Sequence, residues 1–162
     1  YYLFAEAIME NRPIKFFNYG LMKRDFTYVS DIVDGIVRVI NTPPAPSEKW
    51  NALQPHPGIS SAPYSIYNIG NNNPVSLLDF IREIEKLSGL TARIELMEMQ
   101  PGDVQETWAD VDDLMEKFNY KPVTPIQTGL AHFMEWFMDY YEQINRQPAV
   151  KIKNPDFVNN VF

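Results

Sequence analysis

Apolar positions along this chain recur at two spacings, three-to-four and two, and the two patterns interleave. Leu3, Phe4, Ala7 and Ile8 fall at helical spacing, and Asn11 with Pro13 ends the run, so residues 2–11 read as the end of a helix. Ile14–Asn18 reads as a short strand and Tyr19-Gly20 as a turn. Arg24–Val29 is rich in β-formers (Phe26, Thr27, Tyr28, Val29) and predicts a second strand. Ser30 then caps a helix to about Ile40, with Ile32, Val33, Ile36, Val37 and Ile40 as its apolar stripe. Asp31 and Asp34 suit the positive end of its dipole, and Pro43-Pro44 stops it.

Six prolines between positions 43 and 63 predict an irregular surface loop. Ser65–Gly70 reads as an apolar strand and Pro74–Ser76 as a short extended piece. Ser76 caps a helix to about Leu87, with Leu77, Leu78, Ile81, Ile84 and Leu87 inward and Gly89 at its end. Ala92–Met99 alternates and predicts a strand, Gln100–Thr107 a loop, and Asp110 the cap of a short helix with Leu114, Met115 and Phe118. Thr124-Pro125-Ile126-Gln127 reads as a capping box. The helix it opens runs to about Gln143, with Ile126, Leu130, Phe133, Met134, Phe137 and Tyr141 on one face. Trp108, Trp136 and Tyr140 read as core or interface. The pattern predicts one mixed α/β unit over residues 1–145, followed by a polar, aperiodic tail at 146–162.

Composition narrows the function. At 45% hydrophobic and 14% aromatic, 162 residues can bury a core. The net charge of −7 comes without a Lys/Arg cluster, which excludes the electrostatic footprint of a nucleic-acid binder. No apolar run approaches the roughly 20 residues of a membrane-spanning helix. There is no cysteine, and the two histidines are far apart in sequence, so no local metal motif exists. No two of the seven glycines lie closer than 12 residues, whereas a dinucleotide or phosphate cradle needs glycines two to five apart. Taken alone, the chain has no self-contained catalytic kit.

Several residues still carry chemistry. Tyr19-x-x-x-Lys23 has the spacing of a tyrosine base activated by lysine, but it sits in a turn rather than on a helix, and reads as a chance match. Arg24 at a strand start can offer a bidentate guanidinium to a diphosphate, with Asp25 steadying it or a neighbouring loop. On its own that pair favours an ordinary surface ion pair. Asp103, in the Gln100-Pro101-Gly102-Asp103 turn, can accept from sugar hydroxyls or satisfy its own turn. Phe16 and Phe17 can stack on a flat base, although aromatics in strands usually serve the core.

Taken in order, these segments resemble a known family. Lys23-Arg24-Asp25-Phe26-Thr27-Tyr28-Val29-Ser30-Asp31-Ile32 is similar to a signature of extended short-chain dehydrogenase/reductases that act on nucleotide sugars, the NAD-dependent epimerase/dehydratase family. Ser61–Asn71, Met99-Gln100-Pro101-Gly102-Asp103-Val104 and Trp108-Ala109-Asp110 follow in the matching order. Over roughly residues 3–141 the chain looks like the C-terminal part of a UDP-glucuronate 4-epimerase.

The resemblance implies a two-part enzyme. An N-terminal Rossmann domain holds NAD and carries the catalytic Tyr/Lys pair, and the C-terminal part supplies much of the UDP-sugar pocket. The expected fold is then a small mixed α/β substrate-binding domain carrying orphaned pieces of the Rossmann domain. Arg24 matches the diphosphate arginine, Lys15 to Phe17 the strand lining the uracil, and Asp103 the loop residue near the ribose. Gln100 and Thr107 stand where galactose epimerases carry Arg and Tyr, which points toward the glucuronate branch. No catalytic, cofactor-binding or metal residue is expected in this chain. The start at Tyr1-Tyr2 carries the expectation that the chain begins inside a helix following a Rossmann half not contained in it. A UDP-sugar, that Rossmann half and a homodimer mate are the expected partners, in the cytoplasm, with no nucleic acid and no membrane. Other readings stay open: the same half of a different epimerase or dehydratase, a stand-alone UDP-sugar-binding module, and a dimerisation element.

Overall fold

The computed structural model describes residues 1–146, which form five α-helices and four short strands. α1 (Tyr2–Met9) leads into β1 (Pro13–Phe16) and a tight helical turn at Phe17–Gly20. β2 (Lys23–Asp25) precedes α2 (Val29–Ile40). Beyond the proline loop come β3 (Pro74–Ser76), α3 (Leu77–Ser88) and β4 (Arg93–Leu96), then α4 (Asp112–Phe118) and α5 (Ile126–Arg146). The expected tail, from residue 147 onward, lies outside the described residues.

Two small sheets organise this order. β1 pairs in parallel with β4, setting Ile14 opposite Ile94 and Phe16 opposite Leu96. β2 pairs antiparallel with β3, setting Arg24 opposite Val75. The architecture is mixed α/β, as the patterning predicts. The core lies where α1, β1, α3 and α5 meet. Ala5 and Ile8, Ile14 and Phe16, Phe80, Ile81 and Ile84, and Leu130, Met134 and Phe137 are all buried there. Phe26, just past β2, stacks on Phe80 with ring centroids 4.2 Å apart, which fixes β2 against this core.

Local chemistry explains the element ends. The Ser76 hydroxyl accepts from the Leu78 N–H at 3.2 Å and starts α3. Gly89 ends it at φ +72°, donating to the Glu85 carbonyl at 2.8 Å, a conformation that glycine takes without a Cβ penalty. At the start of α5, Thr124 is engaged otherwise than a capping box predicts. Its amide and its hydroxyl both donate to the Asp31 carboxylate, at 3.0 and 3.1 Å. Asp31 is buried, so this tie between α2 and α5 is tertiary rather than local.

Several expectations are corrected. The strand at 24–29 stops at Asp25, because β3 offers only three partners, and α2 starts at Val29 with no side-chain cap. Ser65–Gly70 has only an isolated bridge between Ser65 and Ile59, since a strand needs a neighbour for its backbone groups. Leu3 is exposed, and Ala5 takes the inward place in α1. Phe80 joins the inward face of α3. Of the two readings of Trp108, Trp136 and Tyr140, core and interface, the core one fails, because all three are exposed. The largest departure is α2. Its apolar stripe forms as predicted, yet Val33 is 52%, Ile36 47%, Val37 50% and Ile40 71% exposed.

Candidate functional site

β2 sets three functional residues side by side, and strand alternation sends Lys23 and Asp25 to the face opposite Arg24. The Arg24 guanidinium donates through Nη1 to the Lys23 carbonyl at 2.8 Å and to the Gln105 carbonyl at 3.3 Å. Through Nη2 it donates to Asp103 Oδ1 at 3.1 Å. Both side chains keep solvent access, at 25% for Arg24 and 30% for Asp103. Residues 79 positions apart in sequence are thus a direct ion pair.

The loop carrying Asp103 is built to meet β2. Asp103 N–H donates to the Gln100 carbonyl at 3.2 Å, closing a turn with Pro101-Gly102 at its centre and Gly102 at φ +85°. The Asp103 carboxylate also accepts from Val104 N–H at 3.0 Å. Past the turn, the loop runs along β2. Lys23 N–H donates to the Gln105 carbonyl at 3.0 Å, and Thr107 N–H to the Lys23 carbonyl at 3.3 Å. Lys23 Nζ lies 3.4 Å from Glu106 Oε1.

Asp25 organises the other face. Its carboxylate accepts from the backbone N–H groups of Asn71, Asn72 and Asn73 at 3.2, 3.0 and 3.4 Å, and from that of Ala109 at 3.2 Å. One side chain thereby ties the loop before β3 to the segment after the Asp103 loop. Gly70 permits this closeness, because a Cβ there would sit 2.5 Å from Ala109 Cβ and 2.9 Å from Asp25 Oδ2. Beside it lies a cleft of about 430 Å³ lined by Asp25, Thr27, Asn68, Trp108 and Asp110. The sequence hinted at the loop-steadying role through the Arg-Asp pair; the reach to Ala109 had no local signal.

The remaining candidates divide. Phe17 is half-buried and follows β1, and the Phe16 carbonyl accepts from Met97 N–H at 2.8 Å. Tyr19 N–H returns to the Met97 carbonyl at 2.9 Å, which seats the 16–19 segment against the strand leading to Gln100. Asn18 and Tyr19 carry positive φ there, 50° and 53°. Lys15 is exposed on β1, opposite Glu95 in register. Phe16 is a correction: its ring is 2% exposed and packed in the core near Phe4, so its side chain has no surface for a base.

Two other features lie apart from Arg24. An apolar groove of about 330 Å³ runs past Tyr1, Tyr28, His132, Phe133 and Trp136. Tyr120 is buried, and desolvation first, then the nearby Asp31, Asp34 and Asp25 carboxylates, push its phenol above the ordinary tyrosine range. Among the described residues no group of three or more His, Asp or Glu side chains is placed to hold a metal ion. No helix among them is long and apolar enough to cross a membrane.

The fold is part of an extended short-chain-dehydrogenase-type epimerase fold. A solved UDP-glucuronic acid 4-epimerase from Bacillus cereus, in complex with UDP-glucuronic acid and NAD, superposes with a TM-score of 0.66 at 26% identity, covering 85% of this chain and 39% of that one. Residues 2–70 match the NAD dependent epimerase/dehydratase family. "Protein CapI" of Staphylococcus aureus is 47% identical over 140 residues, 86% of this chain and 42% of that protein. UDP-glucuronate 4-epimerase 2 of Arabidopsis thaliana is 31% identical over 153 residues, 92% of this chain and 34% of that protein. Residues 2–70 thus carry the match to the NAD dependent epimerase/dehydratase family, and the chain resembles UDP-glucuronate 4-epimerases. It spans well under half the length of the relatives it matches.

Proposed function

We propose that residues 1–145 are the nucleotide-sugar-binding portion of a UDP-glucuronate 4-epimerase, interconverting UDP-glucuronate and UDP-galacturonate in the cytoplasm when joined to a Rossmann half. The observation that carries this reading is the meeting of Arg24 and Asp103. The two residues expected at a diphosphate and a ribose lie 3.1 Å apart at the surface, and the half-buried Phe17 belongs to a segment hydrogen-bonded to Met97, on the stretch that leads to the Asp103 loop. Arg24 binds the diphosphate, Phe17 lies against the uracil, Gln100 and Asp103 bound the ribose end, and Lys15 lies at the strand margin.

NAD supplies hydride acceptance and return in such an enzyme. This chain's residues do not fit it, since no two glycines lie close enough to form a dinucleotide cradle. The cofactor and the catalytic base are therefore assigned to the Rossmann half. The exposed Val33, Ile36, Val37 and Ile40 face of α2 is the surface that half would cover. The test mixes the 162-residue chain with UDP-glucuronate and NAD. The expected outcome is calorimetric binding of UDP-glucuronate with no UDP-galacturonate formed. Product from this chain alone would contradict the division of labour.

A further inference from the structure

We propose that Asp103 is a built-in competitor for the Arg24 guanidinium and selects against small free anions; this rests on reading Arg24 as the diphosphate grip. The geometry separates a fixed cation from a displaceable counter-ion. Arg24 is held without Asp103, because Nη1 donates to two backbone carbonyls, Lys23 on β2 and Gln105 beside it. The base of the loop is likewise held, through Lys23 N–H to Gln105 and Thr107 N–H to Lys23.

Asp103 is tethered differently. It follows Gly102, whose φ of +85° and open surroundings mark the loop tip. Its carboxylate keeps the Val104 N–H as a second partner, so leaving Arg24 does not strand it without a hydrogen bond. Movement confined to residues 100–104 therefore frees Nη2.

An anion that takes the Nη2 hydrogen held by Asp103 must displace that carboxylate, and one that approaches the remaining Nη2 and Nε hydrogens bears its repulsion. Inorganic phosphate or pyrophosphate has nothing with which to offset the lost pair. A nucleoside diphosphate has its base and sugar contacts elsewhere on the surface, and these offset the displacement. Asp103 then supplies specificity by penalising the wrong ligand, and the attractive contacts need not change.

The test is calorimetry on the full 162-residue chain, with inorganic pyrophosphate and UDP as probes. Asp103→Asn and Asp103→Ser should each tighten pyrophosphate about fivefold, as expected for removing a partly exposed ion pair. The preference for UDP over pyrophosphate should fall correspondingly. Glu98→Gln, which removes an exposed charge near the same loop, should leave both ligands unchanged. Pyrophosphate binding that is absent, unchanged or weaker in both Asp103 variants overturns the proposal, as does an equal gain in Glu98→Gln. Tighter pyrophosphate with no UDP binding by any form keeps the counter-ion role and removes the nucleotide reading. UDP binding without any gain for pyrophosphate does the reverse.

Discussion

The Asp31 carboxylate, buried at 6% exposure, accepts both the amide and the hydroxyl of Thr124 across 93 positions of sequence. This is the anchor between α2 and the start of α5. Replacing Asp31 with Ala leaves the Thr124 N–H unpaired in a partly buried place. The expected loss is about 2–3 kcal/mol of unfolding free energy, measured by urea denaturation. A loss below about 0.5 kcal/mol would show that the tie is dispensable.

Asp25 holds four backbone N–H groups from two segments. Asp25→Asn keeps one acceptor oxygen and removes the charge. Amide hydrogen exchange at Asn71, Asn72, Asn73 and Ala109 should quicken together, at a cost of about 1–2 kcal/mol in stability. Quickening at 71–73 without Ala109 would mean that the two segments are not joined through this carboxylate.

Tyr120 gives an alkaline signature. Its phenol is raised in the folded state, by desolvation and then by Asp31, Asp34 and Asp25. The protonated form is the one the fold favours, so its contribution is intact below the unfolded tyrosine value of about 10. It is lost as pH rises through that value toward the higher folded one. Unfolding free energy measured from pH 8 to 11.5 should fall less steeply in Tyr120→Phe than in the parent. Some slope remains, because the Tyr2 phenol is also raised. Identical slopes would contradict the shift.

Gly70→Ala is expected to destabilise by about 1–3 kcal/mol, because its Cβ would meet Ala109 Cβ at 2.5 Å. Thermal unfolding reads this directly, and a neutral substitution would show that the 109 segment can retreat.

What was legible in the sequence depended on where each signal's cause lies. α3 was readable because Ser76 and Gly89 act within a turn of the helix ends. α5 was readable because Leu130, Met134 and Phe137 keep one period and all face the core. The stripe of α2 was just as periodic, but periodicity shows that a face is apolar and not what covers it. Ser65–Gly70 had strand composition, yet pairing is a property of two segments. In the site, Arg24 and Asp103 were named from their separate motifs, and the fold put them 3.1 Å apart. Phe16 and Phe17 looked equivalent in sequence; alternation along β1 turned Phe16 into the core. Asp25's hold on Ala109, 84 positions away, had no local trace.

The central claim is that Arg24 grips the diphosphate of a nucleotide sugar. Titrating UDP-glucuronate into the 162-residue chain and its Arg24→Ala variant by calorimetry tests it most directly. The account predicts saturable binding by the parent and a loss of about tenfold or more in the variant, the size of a charge-assisted hydrogen-bonded contact. Equal affinity in both, or no binding by the parent, would contradict it.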